Sequence, residues 1–190
     1  LTKNTKLKTL AINGIELENL DVSTCLDLLY LEIGDSRLTN LDLSKNINLT
    51  RVTLGDNLIS ELNLRDKIKL QKLVTKGKRL ANLDFTGAEA LLILKITGTQ
   101  IQDIDFSTNK LLNEVELVNL TNLFKLDFAN NPKLARLIVR YNQNLRVLNL
   151  KNGGNQNLTA NNFWSNENIN LNCISVDDVE WSTVRWYARD

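Results

Sequence analysis

The chain has 190 residues, of which 43% are hydrophobic and 24% are charged, as is ordinary for a globular domain. It contains two cysteines and no histidine, which excludes histidine-dependent nucleophilic catalysis, histidine-ligated zinc and Cys₄ zinc sites. A net charge of +1 gives no general attraction to nucleic acid. No apolar run approaches the roughly 18 residues that a bilayer-spanning helix needs. We therefore expect neither nucleic-acid binding nor membrane insertion.

Two aliphatic residues separated by one residue recur along the chain in two interleaved series. The first series starts at Leu10, Leu31, Val52, Leu73, Leu94, Val115 and Leu137. The second series starts at Leu20, Leu41, Leu62, Leu83, Ile104, Leu126 and Leu148. The step within each series is 21 residues, or 22 towards the C-terminus. A fixed period of this length predicts a solenoid.

The aliphatic side chains of each unit lie on one side of an extended segment, and a single unit cannot bury them alone. Coils stacked about 4.8 Å apart would share these rows as one continuous core. The half-units are too short for a substantial helix. The sequence predicts about seven coils with short parallel strands on both sides, over residues 1–155. Residues 156–190 break the period, hold all three tryptophans and are predicted to cap the same domain.

The nested pattern resembles the bacterial leucine-rich repeats of the IRREKO type. The unit is clear in LTNLDLSKN (residues 38–46) and LTRVTLGDN (residues 49–57), and the resemblance extends over about residues 7–155. The tail NLNCISVDD (residues 170–178) is similar to the ends of secreted flavobacterial leucine-rich repeat proteins. The resemblance implies a leucine-rich repeat fold in an exported or cell-surface bacterial protein.

Departures from the repeat give further expectations. Asparagine, which bonds turn backbones in this repeat type, is missing most clearly between Lys67 and Ala88. An extra residue before Leu123, after Leu117, predicts a local bulge. Cys25 and Cys173 are too far apart along the stack for a disulfide, so we expect two buried, apolar thiols. An intermolecular bridge or a reactive thiol stays open.

An acidic column runs along the second series. Its members are Asp21, Asp42, Asp84, Asp105 and Asp127. Carboxylates one coil apart could share a calcium ion, but a straight ladder does not converge on one point as calcium ligation requires. We interpret the column as structural and leave calcium binding open. No catalytic residue, resident metal or cofactor is predicted.

The outward positions of the first series vary from coil to coil, which is what a recognition surface on a rigid frame needs. Unselected surface variation explains the pattern equally well. The predicted binding residues are Tyr30, Glu32, Arg51, Lys72, Lys76, Lys95, Arg136, Arg140 and Tyr141. Residues 65–79 also carry seven cations, and Asp66 is the only acidic residue among them. We interpret this basic segment either as a solvated face or as a contact for an anionic partner.

Trp181, Trp186 and Tyr187 form the last aromatic group, which is interpreted either as a cover for the open end of the core or as a sugar platform. Taken together, the sequence predicts a monomeric, non-catalytic recognition or adhesion module that binds a protein or an anionic polysaccharide. Two alternatives stay open. In the first, the chain is a spacer or docking domain of a larger protein. In the second, it is the carbohydrate-binding part of a polysaccharide-degrading system.

Overall fold

The computed structural model describes residue 1 and residues 3–186. In chain order these residues form β1 (Thr9–Ile12), β2 (Tyr30–Ile33), β3 (Arg51–Leu54), β4 (Glu61–Asn63), β5 (Lys72–Lys76), β6 (Asn82–Asp84), β7 (Ile93–Thr97), β8 (Glu114–Val118), β9 (Lys125–Asp127), β10 (Arg136–Arg140), β11 (Val147–Asn149), a 3₁₀ turn (Asn155–Asn157), β12 (Phe163–Trp164), β13 (Cys173–Ser175) and α1 (Val179–Arg185). No helix in this part of the chain is long and apolar enough to cross a membrane.

The first repeat series forms one continuous parallel sheet of eight strands. Its order is β1-β2-β3-β5-β7-β8-β10-β12, so each strand pairs with the equivalent strand of the next coil. The register follows the sequence period, with Leu10 opposite Leu31 and Leu31 opposite Val52. The predicted solenoid of about seven coils of roughly 21 residues, with almost no helix, is confirmed.

The second side of the solenoid is less regular. Its strands form a pair, β4-β6, and a separate three-stranded sheet, β13-β11-β9. Between the two sides lies a single core, in which the inward residues of both series are almost fully buried from the second coil onward, apart from the partly buried Leu83. Three consecutive coils place phenylalanine in one row, where the ring of Phe106 lies 6.1 Å from Phe85 and 4.5 Å from Phe128. Burial of each ring contributes about 1.5–3 kcal/mol.

Buried asparagines tie most coils to the preceding one. The Asn46 amide donates to the backbone carbonyls of Val22 (3.0 Å) and Cys25 (2.9 Å). These bonds satisfy carbonyls that the turn leaves inside the protein, which would otherwise cost about 1–3 kcal/mol each. Equivalent bonds to the backbone of the preceding coil come from Asn57, Asn109, Asn131 and Asn142.

This ladder is interrupted at Lys67 and Ala88, where the sequence predicted the gap. Ala88 is fully buried and has no side-chain amide. Lys67 is only 5% exposed, and its ammonium nitrogen lies 3.5 Å from the Ser44 carbonyl oxygen. Burial lowers the pKa of Lys67, against the smaller opposing effects of Asp42 and Asp66. The lysine therefore fills a ladder position without reproducing the pair of amide bonds.

The extra residue between Leu117 and Leu123 does not form a bulge, so that prediction was wrong. β8 and β10 pair without interruption over five consecutive residues. The insertion widens the following turn, because buried Leu120 and Leu123 are three positions apart, whereas the corresponding pair one coil earlier, Thr99 and Ile101, are two apart. A solvent-facing turn accepts an added residue without breaking strand pairing.

The two cysteines differ in environment. Cys25 is fully buried, as expected, and both thiols are free. Cys173 is exposed, so the prediction that both are buried was wrong. The reason is register: Ile174 pairs with Leu148 and continues the inward row, which places Cys173 in the outward row of β13.

The tryptophans of the C-terminal region close onto the last coil. Trp186 is 1% exposed, and its indole N–H donates to the Leu158 carbonyl at 2.6 Å. Its ring centroid lies 4.5 Å from that of Phe163 and 6.2 Å from that of Trp181. Trp186 therefore has no open ring face for a sugar. Tyr187, the third member of the aromatic group, lies outside the described residues.

Candidate binding face

The outer face of the eight-stranded sheet holds the predicted binding residues. Eight of them are strand residues whose side chains alternate with the buried aliphatic ones, and Tyr141 directly follows β10. Because every strand is parallel and in register, equivalent side chains form straight columns across the sheet. The face is thus built by the repeat itself, and its chemistry is set coil by coil.

Tyr30, Arg51 and Lys72 stand side by side at the start of neighbouring strands. Strand pairing places Tyr30 opposite Arg51, and Arg51 opposite Lys72, about 4.8 Å apart. Within the described residues, neither Arg51 nor Lys72 forms an ion pair. The Tyr30 hydroxyl donates to the Glu32 carboxylate, which raises the pKa of Tyr30. Arg51 and Lys72 are therefore available to an external carboxylate.

Lys76, at the end of β5, is already engaged. Its ammonium nitrogen lies 3.2 Å from Asp35 Oδ1 and 3.4 Å from Asp56 Oδ2. The hydrogen bond to Asp35, followed by that to Asp56, raises the pKa of Lys76. The Asp35 carboxylate also accepts the Asp56 backbone N–H at 3.1 Å, so the group links three coils.

A second charged network crosses the middle of the sheet. Lys95 lies 2.6 Å from Glu114 Oε1 and 3.3 Å from Glu116 Oε2, and the bond to Glu114 raises the pKa of Lys95. The Arg136 guanidinium also approaches Glu114, at 3.4 Å. Each cation here is balanced by a neighbouring carboxylate, so the network carries no net formal charge.

The C-terminal end of the face pairs arginines with aromatic rings. The Arg136 guanidinium lies 5.1 Å from the Trp164 ring centroid, and Arg140 lies 5.1 Å from the ring of Tyr141. Tyr141 is 46% exposed. Arginine, tyrosine and tryptophan are the residues most enriched where binding energy is concentrated. Sequence reasoning missed Trp164, because β12 lies beyond the last clear repeat. The available signal was the aromatic doublet Phe163–Trp164, which forms this strand.

The basic segment 65–79 does not form a patch. Its residues follow the coil around the solenoid, so neighbours in sequence face different directions. Arg65 is on the second side and bonds Asp84 at 3.0 Å, while Lys67 is buried. Lys69 lies in a turn and donates to an asparagine side chain of the preceding coil at 2.7 Å. Two lysines of the segment reach the outer face of the large sheet.

The acidic column of the second series has a structural role in each turn. Asp42 Oδ1 accepts the Ser44 backbone N–H at 2.8 Å, and this bond lowers the pKa of Asp42. Asparagine makes the same bond where it replaces aspartate, so the position requires an acceptor and not a charge. The same bond recurs at Asp21, Asn63, Asp84, Asp105, Asp127 and Asn149. The described residues contain no group of three His, Cys, Asp or Glu side chains that could hold a metal ion.

A groove on the second side was not predicted from the sequence. It is open, has a volume of about 980 Å³ and crosses four coils. Amide and carboxylate side chains dominate its lining. The polar residues are Asn40, Asp42, Glu61, Asn63, Asn82, Asp84, Gln102 and Asp103. The outward positions of the second series carried the signal, since each pairs an amide with a carboxylate in three successive coils.

Comparisons with known proteins bear on the fold. No protein-family model matches the chain, and no curated protein matches it. Among solved structures, the functional domain of InlJ from Listeria monocytogenes, which includes a cysteine ladder, has a TM-score of 0.56 and 22% identity. The match covers 92% of this chain but 45% of that one, so this chain spans less than half of its length.

A second similar structure is the leucine-rich repeat domain of the type III effector XopL. It has a TM-score of 0.53 and 17% identity, and the match covers 89% of this chain and 76% of that one. At such identities the likeness concerns the fold. The stacked parallel strands, the shared leucine core and these two matches together show that the chain has the leucine-rich repeat fold.

Proposed function

We propose that the chain is a non-catalytic recognition module that binds a protein partner through the outer face of its eight-stranded sheet. The observation that carries the proposal is the contrast between the two sides. The second side repeats one turn motif in seven coils, whereas the outer face of the large sheet changes its side chains from coil to coil. Rigid strands hold those side chains in place before binding, which reduces the entropy lost on association.

Two parts of the face have the chemistry of strong contacts. Arg51 and Lys72 have no ion pair among the described residues and can donate hydrogen bonds to a partner's carboxylates. Tyr141 and Trp164 offer aromatic surface, each beside an arginine. Lys76, Lys95 and Arg136 already have carboxylate partners, so they contribute less attraction to a partner. Arg140 contacts the ring and hydroxyl of Tyr141.

The cellular setting is also part of the proposal. The repeat pattern resembles the bacterial IRREKO type, and the tail resembles those of secreted repeat proteins. We propose an exported or cell-surface bacterial protein that acts as a monomer. Labelling of intact source cells with an antibody to the chain tests the location, and sedimentation of the purified chain tests the oligomeric state.

The experiment for the binding face starts from an array of surface and secreted proteins, probed with the purified chain at low and high salt. A protein identified there is then measured against Arg51→Glu/Lys72→Glu. The matched control is Lys45→Glu/Lys151→Glu. It changes the net charge equally, but both lysines are exposed on the second side of the solenoid. The face variant should lose at least about 10-fold in affinity, a change of 1.4 kcal/mol, and the control little. Equal losses in both variants would overturn the assignment of the face.

A second candidate function is supported by the groove on the second side. Amides and carboxylates arranged along an open groove offer many hydrogen-bond donors and acceptors, as a neutral polysaccharide requires. A glycan array probed with the chain and with Asn82→Ala/Gln102→Ala tests it. Binding that is insensitive to salt and lost in this variant would favour carbohydrate recognition. An array without protein or glycan binding would favour a spacer.

A further inference from the structure

Two consecutive coils leave a gap in the outer face of the large sheet. The third outward column of this face reads Asn13, Gly34, Gly55, Lys76, Thr97, Val118 and Arg140. Side chains therefore fill the column everywhere except at the two glycines. The result is a depression of about 310 Å³, bounded by Asn13 on one side and by Lys76 on the other.

Gly34 and Gly55 are needed because a larger residue would not fit, and not because of their backbone conformation. A Cβ atom at Gly34 would lie 3.2 Å from the Asn13 Cα atom and would collide with the Asn13 side chain. A Cβ atom at Gly55 would lie 2.9 Å from both the Gly34 carbonyl carbon and Asp35 Oδ1. Neither glycine has the left-handed φ that itself favours glycine. The close approach of neighbouring backbones thus fixes an unfilled place on the face.

The depression has an apolar floor and an acidic rim. Thr53 and Val74 line the floor, and Glu32, Asp35 and Lys76 stand at the rim. Asp56 also contacts the Lys76 ammonium, at 3.4 Å. The depression and its edge thus hold three carboxylates and one ammonium group. The local formal charge is therefore negative, although the whole chain carries +1.

The rim retains acceptor capacity. One Glu32 oxygen accepts the Asn13 amide at 3.3 Å and the other accepts the Tyr30 hydroxyl. The Asp35 contacts with Lys76 and with the Asp56 backbone both involve Oδ1. An ionised carboxylate has about four acceptor sites, so both groups can accept further bonds. Arg51 and Lys72 lie towards the opposite end of the strands, two to four residues away.

We propose that this depression receives an arginine side chain of the protein partner. The aliphatic stem of the arginine would cover Thr53 and Val74, and its planar guanidinium would bond the carboxylates of Glu32 and Asp35. The inference rests on the proposed function of the sheet face and adds the chemistry of one anchor. It also predicts the charges of the partner along the face: an acidic group opposite Arg51 and Lys72, and a basic group opposite the depression.

The test uses the whole chain, labelled with ¹⁵N, and two small probes. Nα-acetyl-arginine amide carries the proposed anchor, and Nα-acetyl-citrulline amide is its neutral isostere. The expected result is a saturable millimolar shift of the Gly34 and Gly55 amide signals with arginine, at least about 10-fold weaker with citrulline. Val74→Arg, which supplies the chain's own cation to the depression, should abolish the shift. Ile138→Arg, in the same outward column at the other end of the sheet, should retain it.

Three results would overturn the proposal: no shift at Gly34 and Gly55, equal shifts with citrulline, or an unchanged shift in Val74→Arg. Each of these leaves the proposed function standing, because the protein partner can still bind through Arg51, Lys72 and the aromatic end. Conversely, the absence of any protein partner would defeat the proposed function without altering the arginine titration. Val74→Arg and Ile138→Arg must keep the wild-type spectrum elsewhere, and Val74→Lys replaces the first variant if it does not.

Discussion

Lys67→Asn should stabilise the protein by restoring a missing rung of the asparagine ladder. In the preceding coil, Asn46 donates two amide hydrogen bonds of 3.0 and 2.9 Å to buried carbonyls, whereas Lys67 makes one marginal contact of 3.5 Å. Each buried hydrogen bond contributes a net 0.5–1.5 kcal/mol, so two bonds are worth about 1–3 kcal/mol. The substitution also removes a buried cation. We expect the free energy of unfolding to rise by about 1–2 kcal/mol after repacking around the shorter side chain.

The measurement is urea unfolding of the two proteins at neutral pH and at alkaline pH. Burial holds the pKa of Lys67 below its unfolded value of about 10.4, so the unfolded state binds more protons between the two values. Wild-type stability should therefore rise with pH across that window, and the advantage of Lys67→Asn should shrink. Lys45→Asn is the matched control, because Lys45 is exposed in the turn of the preceding coil and lies beside the ladder position, not in it. Loss of stability in Lys67→Asn, or an equal gain in Lys45→Asn, would refute the ladder argument.

Two further predictions concern stability. Phe106→Ala should lower the free energy of unfolding by about 3–5 kcal/mol, because Phe106 is 1% exposed and its removal leaves a cavity between Phe85 and Phe128. Phe124→Ala is the control: Phe124 is 53% exposed, so the loss should be about 1 kcal/mol or less in the same urea assay. Stability should be constant from neutral pH to about pH 5 and then fall progressively as the pH drops. The unfolded carboxyl groups bind protons first, because the pKa values of Asp21, Asp42, Asp84 and Asp127 are lowered in the folded protein. Asp42→Asn, which keeps the turn acceptor, should make this acid loss shallower, and an unchanged acid profile would contradict the assignment.

The fold was predictable because its determinants are periodic. The 21-residue spacing of paired aliphatic residues fixed both the number of coils and the register, and Leu10, Leu31 and Val52 do lie opposite one another. The outward columns followed from the same alternation. What spacing alone cannot reveal is where an added residue goes. The insertion near Leu120 entered a turn, because a turn has no partner strand whose pairing it would disturb.

The site was less predictable, since it depends on contacts between coils. The basic segment 65–79 looks like a patch in sequence, yet a solenoid distributes one coil around its whole circumference. Conversely, Lys76 forms ion pairs with Asp35 and Asp56, which lie 41 and 20 positions earlier in the chain. Cys173 was misplaced because a shift of one residue exchanges the two faces of a strand, and the last strand lies outside the clear period.

Tyr141 links the stability of the solenoid to its proposed function. Its φ of 59° is left-handed, which costs a side chain of this type about 1–2 kcal/mol. The same position holds Gly98 (φ 65°) and Asn119 (φ 57°) in the two preceding coils, so the repeat offers cheaper residues there. Strain of this kind persists where a side chain has another role, and here the ring is 46% exposed beside Arg140.

Tyr141→Asn should therefore keep or raise the free energy of unfolding, by up to about 1 kcal/mol, while it lowers affinity for the protein partner about 10-fold. Tyr141→Phe is the control, because it keeps both the strain and the ring and should bind the partner nearly as well as the wild type. Urea unfolding and partner titration of both variants separate the two effects. If Tyr141→Asn bound the partner normally and gained no stability, the left-handed tyrosine would have neither a cost nor a role, and the aromatic end would lose its place in the binding face.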